Sequence, residues 1–265
     1  MEPDTYLNSL KDEDIQIRAY SIIALGKTGD SEAVKPLIEI LENKSEVDWL
    51  RGCAAIALGR LSGEEVIPPL LNALQDDSVA VIRAVISSLG DVSSKRAIPY
   101  LQAILEDADK AEVHAMTVTV LGKIGGYDII PTLLRELEHP NNQVRIRAAM
   151  ALGELRSVET VMPFIQMTND EDECLRAIAA SSLGLLKDAC AVEPLIEALN
   201  DRAETVRAIA ASSLGCLYDS RAIPPLEKAL DDKCQTVRKQ ASAALSKIRS
   251  SQAPIKIKNK ASVHN

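Results

Sequence analysis

Aliphatic side chains return along this chain at two fixed offsets. Leu25, Leu58, Leu89, Leu121, Leu152, Leu183, Leu214 and Leu245 each follow, by eight residues, another aliphatic position: Ile17, Leu50, Val81, Val113, Val144, Leu175, Val206 and Val237. A separation of eight places both members on one face of an α-helix. The first seven leucines are followed by glycine, at 26, 59, 90, 122, 153, 184 and 215, with intervals of 33, 31, 32, 31, 31 and 31 residues; the eighth is followed by Ser246. One place after the first aliphatic residue stands Arg18, Arg51, Arg145, Arg176, Arg207 or Arg238, replaced by Ile82 in the third window and His114 in the fourth. Nine or ten residues after each glycine comes a proline, at 36, 69, 99, 131, 163, 194 and 225.

Each period therefore predicts two helices. The first runs through the proline, as in AVKPLIEILEN (33–43) or AVEPLIEALN (191–200), with Pro near the first turn, where a missing N–H costs little. The second runs from the aliphatic–Arg pair to Leu-Gly, with Asp14, Ser78, Asn141 and Asp172 as expected N-caps. The closing glycine is expected to take a left-handed conformation at the helix end. A lone pair cannot bury its apolar face, so pairs must stack side by side into one continuous core. The nonapeptide RAIAASSLG, present at 176–184 and again at 207–215, is then a buried helix written for close packing.

Units such as IQIRAYSIIALGKTGDSEAVKPLIEIL and ETVRAIAASSLGCLYDSRAIPPLEKAL resemble HEAT repeats, most closely the short variety of about 31 residues named after the phycobilisome (PBS) lyases. The resemblance implies an all-α fold, a curved right-handed α-solenoid of about eight helix pairs over residues 1–249. Its first unit is expected to have only a polar stub of a first helix. Its last carries Lys239, Gln240 and Lys247 on an outer face that is polar, as a cap requires. Residues 250–265, rich in Lys, Ser and Asn without periodicity, are expected to form a disordered basic tail.

The resemblance also places the second helices on the concave side. There, the residues one, two and five places after the Arg slot are expected to face outward. A solvated face should be charged, yet of these positions only Arg83, Arg147 and Lys239 are charged. The expected protein-binding set is Tyr20, Ile23, Cys53, Ile56, Arg83, Met116, Thr119, Ile146, Arg147, Met150, Ile178 and Ile209. A long strip of Ile, Met, Tyr and small residues suits a partner helix or an extended peptide. Arg83 lies one place beyond the Arg slot, so it should turn toward this face and leave Ile82 in the stack.

Composition narrows the chemistry. Aromatics are 3% of the chain against 46% hydrophobic residues, so the core must be built from Ala, Leu, Ile and Val. The net charge is −8, and three of the lysines belong to the last sixteen residues, so the repeat region would repel a phosphate backbone. No nucleic-acid partner is expected. No run approaches a membrane span, the acidic start lacks the order of a secretory signal, and five cysteines without a CxxC fit reduced thiols. A cytoplasmic protein without a membrane partner is expected.

His114, His139 and His264 are the only histidines, no HExxH occurs, and the cysteines are expected on opposite edges of the stack. Among HEAT-like proteins, deoxyhypusine hydroxylase holds iron through His-Glu dipeptides, and the chain has none. The repeat serines have no histidine in reach for a triad. No catalytic residue, cofactor or metal is therefore expected. The leading expectation is a non-enzymatic scaffold, adaptor or assembly factor. The resemblance implies an alternative, one subunit of a bilin lyase working with a second HEAT-like chain.

Overall fold

The computed structural model describes residues 3–107 and 111–252. Sixteen α-helices follow one another, and no strand occurs among the described residues. The chain divides into two compact units, residues 1–155 and 156–265. The first holds α1 (Pro3–Ser9), α2 (Ile15–Thr28), α3 (Val34–Glu42), α4 (Asp48–Leu61), α5 (Ile67–Ala73), α6 (Val79–Val92), α7 (Ile98–Leu105), α8 (Ala111–Gly125), α9 (Ile130–Glu136) and α10 (Asn142–Leu155). The second holds α11 (Val161–Met167), α12 (Glu173–Leu186), α13 (Val192–Ala198), α14 (Glu204–Leu217), α15 (Ile223–Ala229) and α16 (Gln235–Gln252). These are the eight expected pairs, five in one unit and three in the other. α16 ends at Gln252, beyond the expected boundary at 249, and the rest of the expected tail lies outside the described residues.

Inside each unit the packing is between neighbours. Each odd-numbered helix lies on the even-numbered helix that follows it, and consecutive even-numbered helices pack on one another: α2 on α4, α4 on α6, α6 on α8 and α8 on α10, then α12 on α14 and α14 on α16. All eight repeat leucines are buried, as are seven of the eight aliphatic residues that precede them. Ile17 is the exception, 42% exposed.

The first helices start differently from expectation. Single 3-10 turns, such as Ser31–Ala33 and Ala189–Ala191, precede helices of seven to nine residues. Five of these turns are capped by Asp30, Ser94, Ser157, Asp188 and Asp219, each accepting the N–H two residues on. Of the expected N-caps of second helices, Asp14, Asn141 and Asp172 accept backbone N–H groups. Ser78 does not cap α6, and Asp76 accepts the Ser78 N–H in its place.

The repeat glycine is not a left-handed terminator. Gly26, Gly59, Gly90, Gly122, Gly153, Gly184 and Gly215 all lie inside their helices, and the positive φ angles fall later, as at Gly29, Ser93 and Lys187. What the glycines allow is close approach. A Cβ on Gly215 would stand 2.8 Å from Ala244 Cα, and one on Gly184 would stand 2.6 Å from Ser213 Cβ. Gly26, Gly59, Gly122, Gly184 and Gly215 each meet the Ala or Ser two places before the glycine, or before Ser246, of the next repeat, whereas Gly90 meets the Val120 side chain there at 3.2 Å. Consecutive second helices thus touch backbone to backbone, with Ser88 Oγ even donating to the Ala55 carbonyl of the previous one at 2.8 Å.

Candidate functional site

The Arg slot forms rungs along one edge of each unit. Arg207, on α14, donates through Nη1 to the carbonyl of Asp201 in its own repeat. Its Nε and Nη2 reach both oxygens of Asp232, 25 residues on, at 2.7 and 2.9 Å. Arg176 grips Asp201 in the same way. The acid has a second duty: Asp76, Asp201 and Asp232 each accept the N–H two residues later and so begin the following second helix. The Arg207 guanidinium holds the Asp232 carboxyl below the usual carboxylate range. At Asp201 burial pushes upward, but the hydrogen bonds from Arg176 and the Ala203 N–H outweigh it, and the net direction is down. These arginines are structural.

The expected binding residues lie elsewhere, on the outer side of the second helices. All twelve are exposed or half-buried. In the first unit, Met116, Thr119 and Arg147 line a depression of about 400 Å³ with Lys123 and Asp91. Thr119, Arg147 and Lys123 also line an adjoining one of about 350 Å³ with Met150 and Glu154. In the second unit, Ile209 lines a separate depression of about 380 Å³ with Ala208, Ser212 and Cys234. Tyr20 is exposed and meets Tyr6 edge-on at 6.0 Å between centroids. Tyr20, Ile23, Cys53, Ile56, Arg83, Ile146 and Ile178 line none of these three depressions. Arg83 is exposed and Ile82 buried, as expected from their shifted register.

One expectation needs correction. The face is not nearly uncharged in the first unit. Lys123 lies seven residues after Met116 and so shares its side of α8. It pairs with Asp91 at 3.2 Å across the gap to α6. Lys27, Arg60, Asp91, Lys123 and Glu154 form one exposed charged column, each directly after a repeat glycine. Extending the i, i+3, i+7 line by one turn would have found it. In the second unit the same column holds Leu185, Cys216 and, after Ser246, the charged Lys247.

The fold also joins two residues that the sequence kept apart. His114 and His139 stand with ring centroids 4.5 Å apart, and His114 Nε2 donates to Glu136 at 2.8 Å. The five cysteines are all free thiols, with burial raising the Cys53 pKa and the hydrogen bond with Asp188 raising that of Cys190.

Helix pairs stacked through their second helices, tied by an edge of Arg–Asp rungs, define an α-solenoid repeat protein. The HEAT-repeat family pattern matches residues 3–90, 67–135, 130–215 and 192–258, and the chain belongs to that family. Among solved structures it is similar to the complex of CpcE and CpcF of phycocyanin lyase from Nostoc sp. PCC7120, at 27% identity over 94% of this chain and 95% of that one, with a TM-score of 0.53. The Escherichia coli protein YibA shares the fold at 24% identity over 94% and 93% of the two chains, TM-score 0.70. So does Kap95p, solved bound to RanGDP, at 16% identity over 95% of this chain and 40% of that one, TM-score 0.69. No curated protein sequence matches the chain. Among the described residues, no helix is long and apolar enough to cross a membrane.

Proposed function

We propose that the protein is a non-enzymatic scaffold that holds a segment of another protein against the outer side of its second helices. The observation that carries this reading is the cluster of Met116, Thr119, Arg147 and Met150 around two adjoining depressions of the first unit. Methionine is the adaptable apolar residue of docking surfaces, and Met150 is 44% exposed. The charged rim of Lys123, Asp91 and Glu154 adds register to an apolar contact. A helix or extended peptide with one apolar stripe and a flanking carboxylate for Arg147 fits this chemistry.

Replacing Met116 and Met150 by Glu tests it. Partner capture should be lost, while far-UV circular dichroism and melting stay close to wild type, since Met150 is exposed and Met116 half-buried at the surface. Unfolding of the variant, or undiminished capture, would sink the reading. The likeness to the phycocyanin lyase complex supports a second reading, a subunit of a bilin lyase whose partner is another HEAT-like chain. A spectral shift of an added linear tetrapyrrole would favour that reading, and an unchanged spectrum beside tight protein capture would favour the scaffold.

A further inference from the structure

The rung of the fourth repeat is rebuilt at three positions at once. Its arginine slot holds His114. The slot 25 residues on, aspartate in the rungs of Arg51, Arg176 and Arg207, holds His139. His139 keeps the aspartate's duty toward the backbone, its Nδ1 accepting the Asn141 N–H at 3.0 Å. The slot 22 residues on is apolar in the other repeats, as at Ala73, Met167, Ala198 and Ala229, and here it holds Glu136. That carboxylate is 4% exposed, at the end of α9.

A metal-free exchange accounts for only part of this. Histidine is shorter than arginine, so an acid placed closer would restore the ion pair, which explains Glu136. It does not explain a second imidazole at 139, where aspartate already serves backbone and partner elsewhere. The donor atoms of His114, Glu136 and His139 all lie within 4.8 Å of one another. Nitrogen and oxygen ligands at about 2.0–2.2 Å from a tetrahedral ion stand roughly 3.3 Å apart, within small side-chain rotations of this arrangement. Arg135, the nearby cation, is drawn away to Glu106 at 2.8 Å and approaches Glu136 only at 3.5 Å.

We propose that His114, Glu136 and His139 bind a divalent first-row transition metal, with zinc as the best-matched ion. Two imidazoles and a carboxylate suit zinc and exclude the all-oxygen preference of calcium or magnesium. Half-buried His139 leaves one coordination position to solvent. The ion replaces the Arg–Asp rung, fastening α8 to the turn between α9 and α10. Binding exchanges the His114–Glu136 hydrogen bond for metal bonds. It also costs His139 its bond from Asn141, since Nδ1 must then carry either the metal or the ring proton.

The test uses the full chain, reduced and stripped by chelator, titrated with Co²⁺ and then Zn²⁺. One Co²⁺ per chain should bind with the visible bands of a four- or five-coordinate nitrogen–oxygen site, Zn²⁺ should displace it, and Zn²⁺ should raise the melting temperature. The double variant His114→Arg with His139→Asp rebuilds the ordinary rung, so it should fold and lose the stoichiometric site. His139→Ala alone should lose it as well. No stoichiometric uptake by the wild type, equal uptake by the double variant, or a thiolate-to-cobalt charge-transfer band from a cysteine site would each overturn the proposal.

Discussion

In the second unit, Arg176 and Arg207 each meet an aspartate with two parallel N–H bonds, Nε and Nη2 both engaged. In the first unit, Arg18 reaches Glu46 and Arg51 reaches Asp76 through Nη2 alone, and both leave a buried Nε without a partner. The third repeat has Ile82 in that slot and the fourth has the histidine cluster. A similar contrast runs along the outer face: charged residues follow the glycines at all five positions of the first unit, whereas the second has Leu185 and Cys216 before Lys247 in its last helix. One unit repeats a single solution, down to two identical nonapeptides. The other departs from it with Glu46 in place of an aspartate, with Ile82 and with His114, and the last of these departures supplies the residues proposed to bind metal. Regularity serves stacking, and function is written where the regular rung is given up.

The largest test of this contrast is removal of the guanidinium. Arg207→Ala should cost about 3 kcal/mol, because it removes both N–H bonds from the half-buried Asp232 carboxylate as well as the bonds to two carbonyls, whereas Arg18→Ala, which also serves two carbonyls but holds Glu46 through one bond, should cost about 2 kcal/mol. Urea unfolding of the two variants measures both, and equal losses would erase the distinction between closed and open rungs.

Next comes the close approach of second helices. Gly215→Ala should lose roughly 2 kcal/mol, since the new methyl meets the Ala244 backbone. Gly52→Ala should be neutral or gain up to about 1 kcal/mol from helix propensity, its nearest contact being Ala84 Cβ at an ordinary 3.7 Å. A destabilised Gly52→Ala in the same denaturation assay would show that glycine is needed for more than proximity.

A smaller effect appears as a pH dependence. Asp232 is held below its ordinary pKa in the folded chain. Its contribution is therefore fully present above the unfolded value of about 3.9 and is lost as pH falls through the lower folded value. Asp232→Asn should be clearly less stable than wild type at pH 7, with the gap closing below about pH 4. A gap that stays constant down to pH 2 would mean that the carboxylate's charge contributes nothing to the rung.

Much of this molecule could be read from its residues in order. Periodic burial and the placement of Asp14 and Asp172 before their helices are local matters, settled within one or two turns, so the eight pairs and most boundaries followed from spacing alone. The outward placement of Met116, Arg147 and Met150 did as well, since residues at fixed offsets on one helix share a side. Three things needed neighbouring repeats to be in place. The glycines are spacers because the next helix presses on them, and nothing within the local segment distinguishes that from a helix terminator. Ile17 keeps the period and is still exposed, because burial of that slot depends on what packs over α2, which the local pattern does not state. His114 and His139 meet because the rung joins residues 25 apart in different repeats, a distance set only when second helices close to backbone contact. Local hydrogen bonding and hydrophobic period determine the elements; which side chains become partners is decided by how tightly the elements can stack.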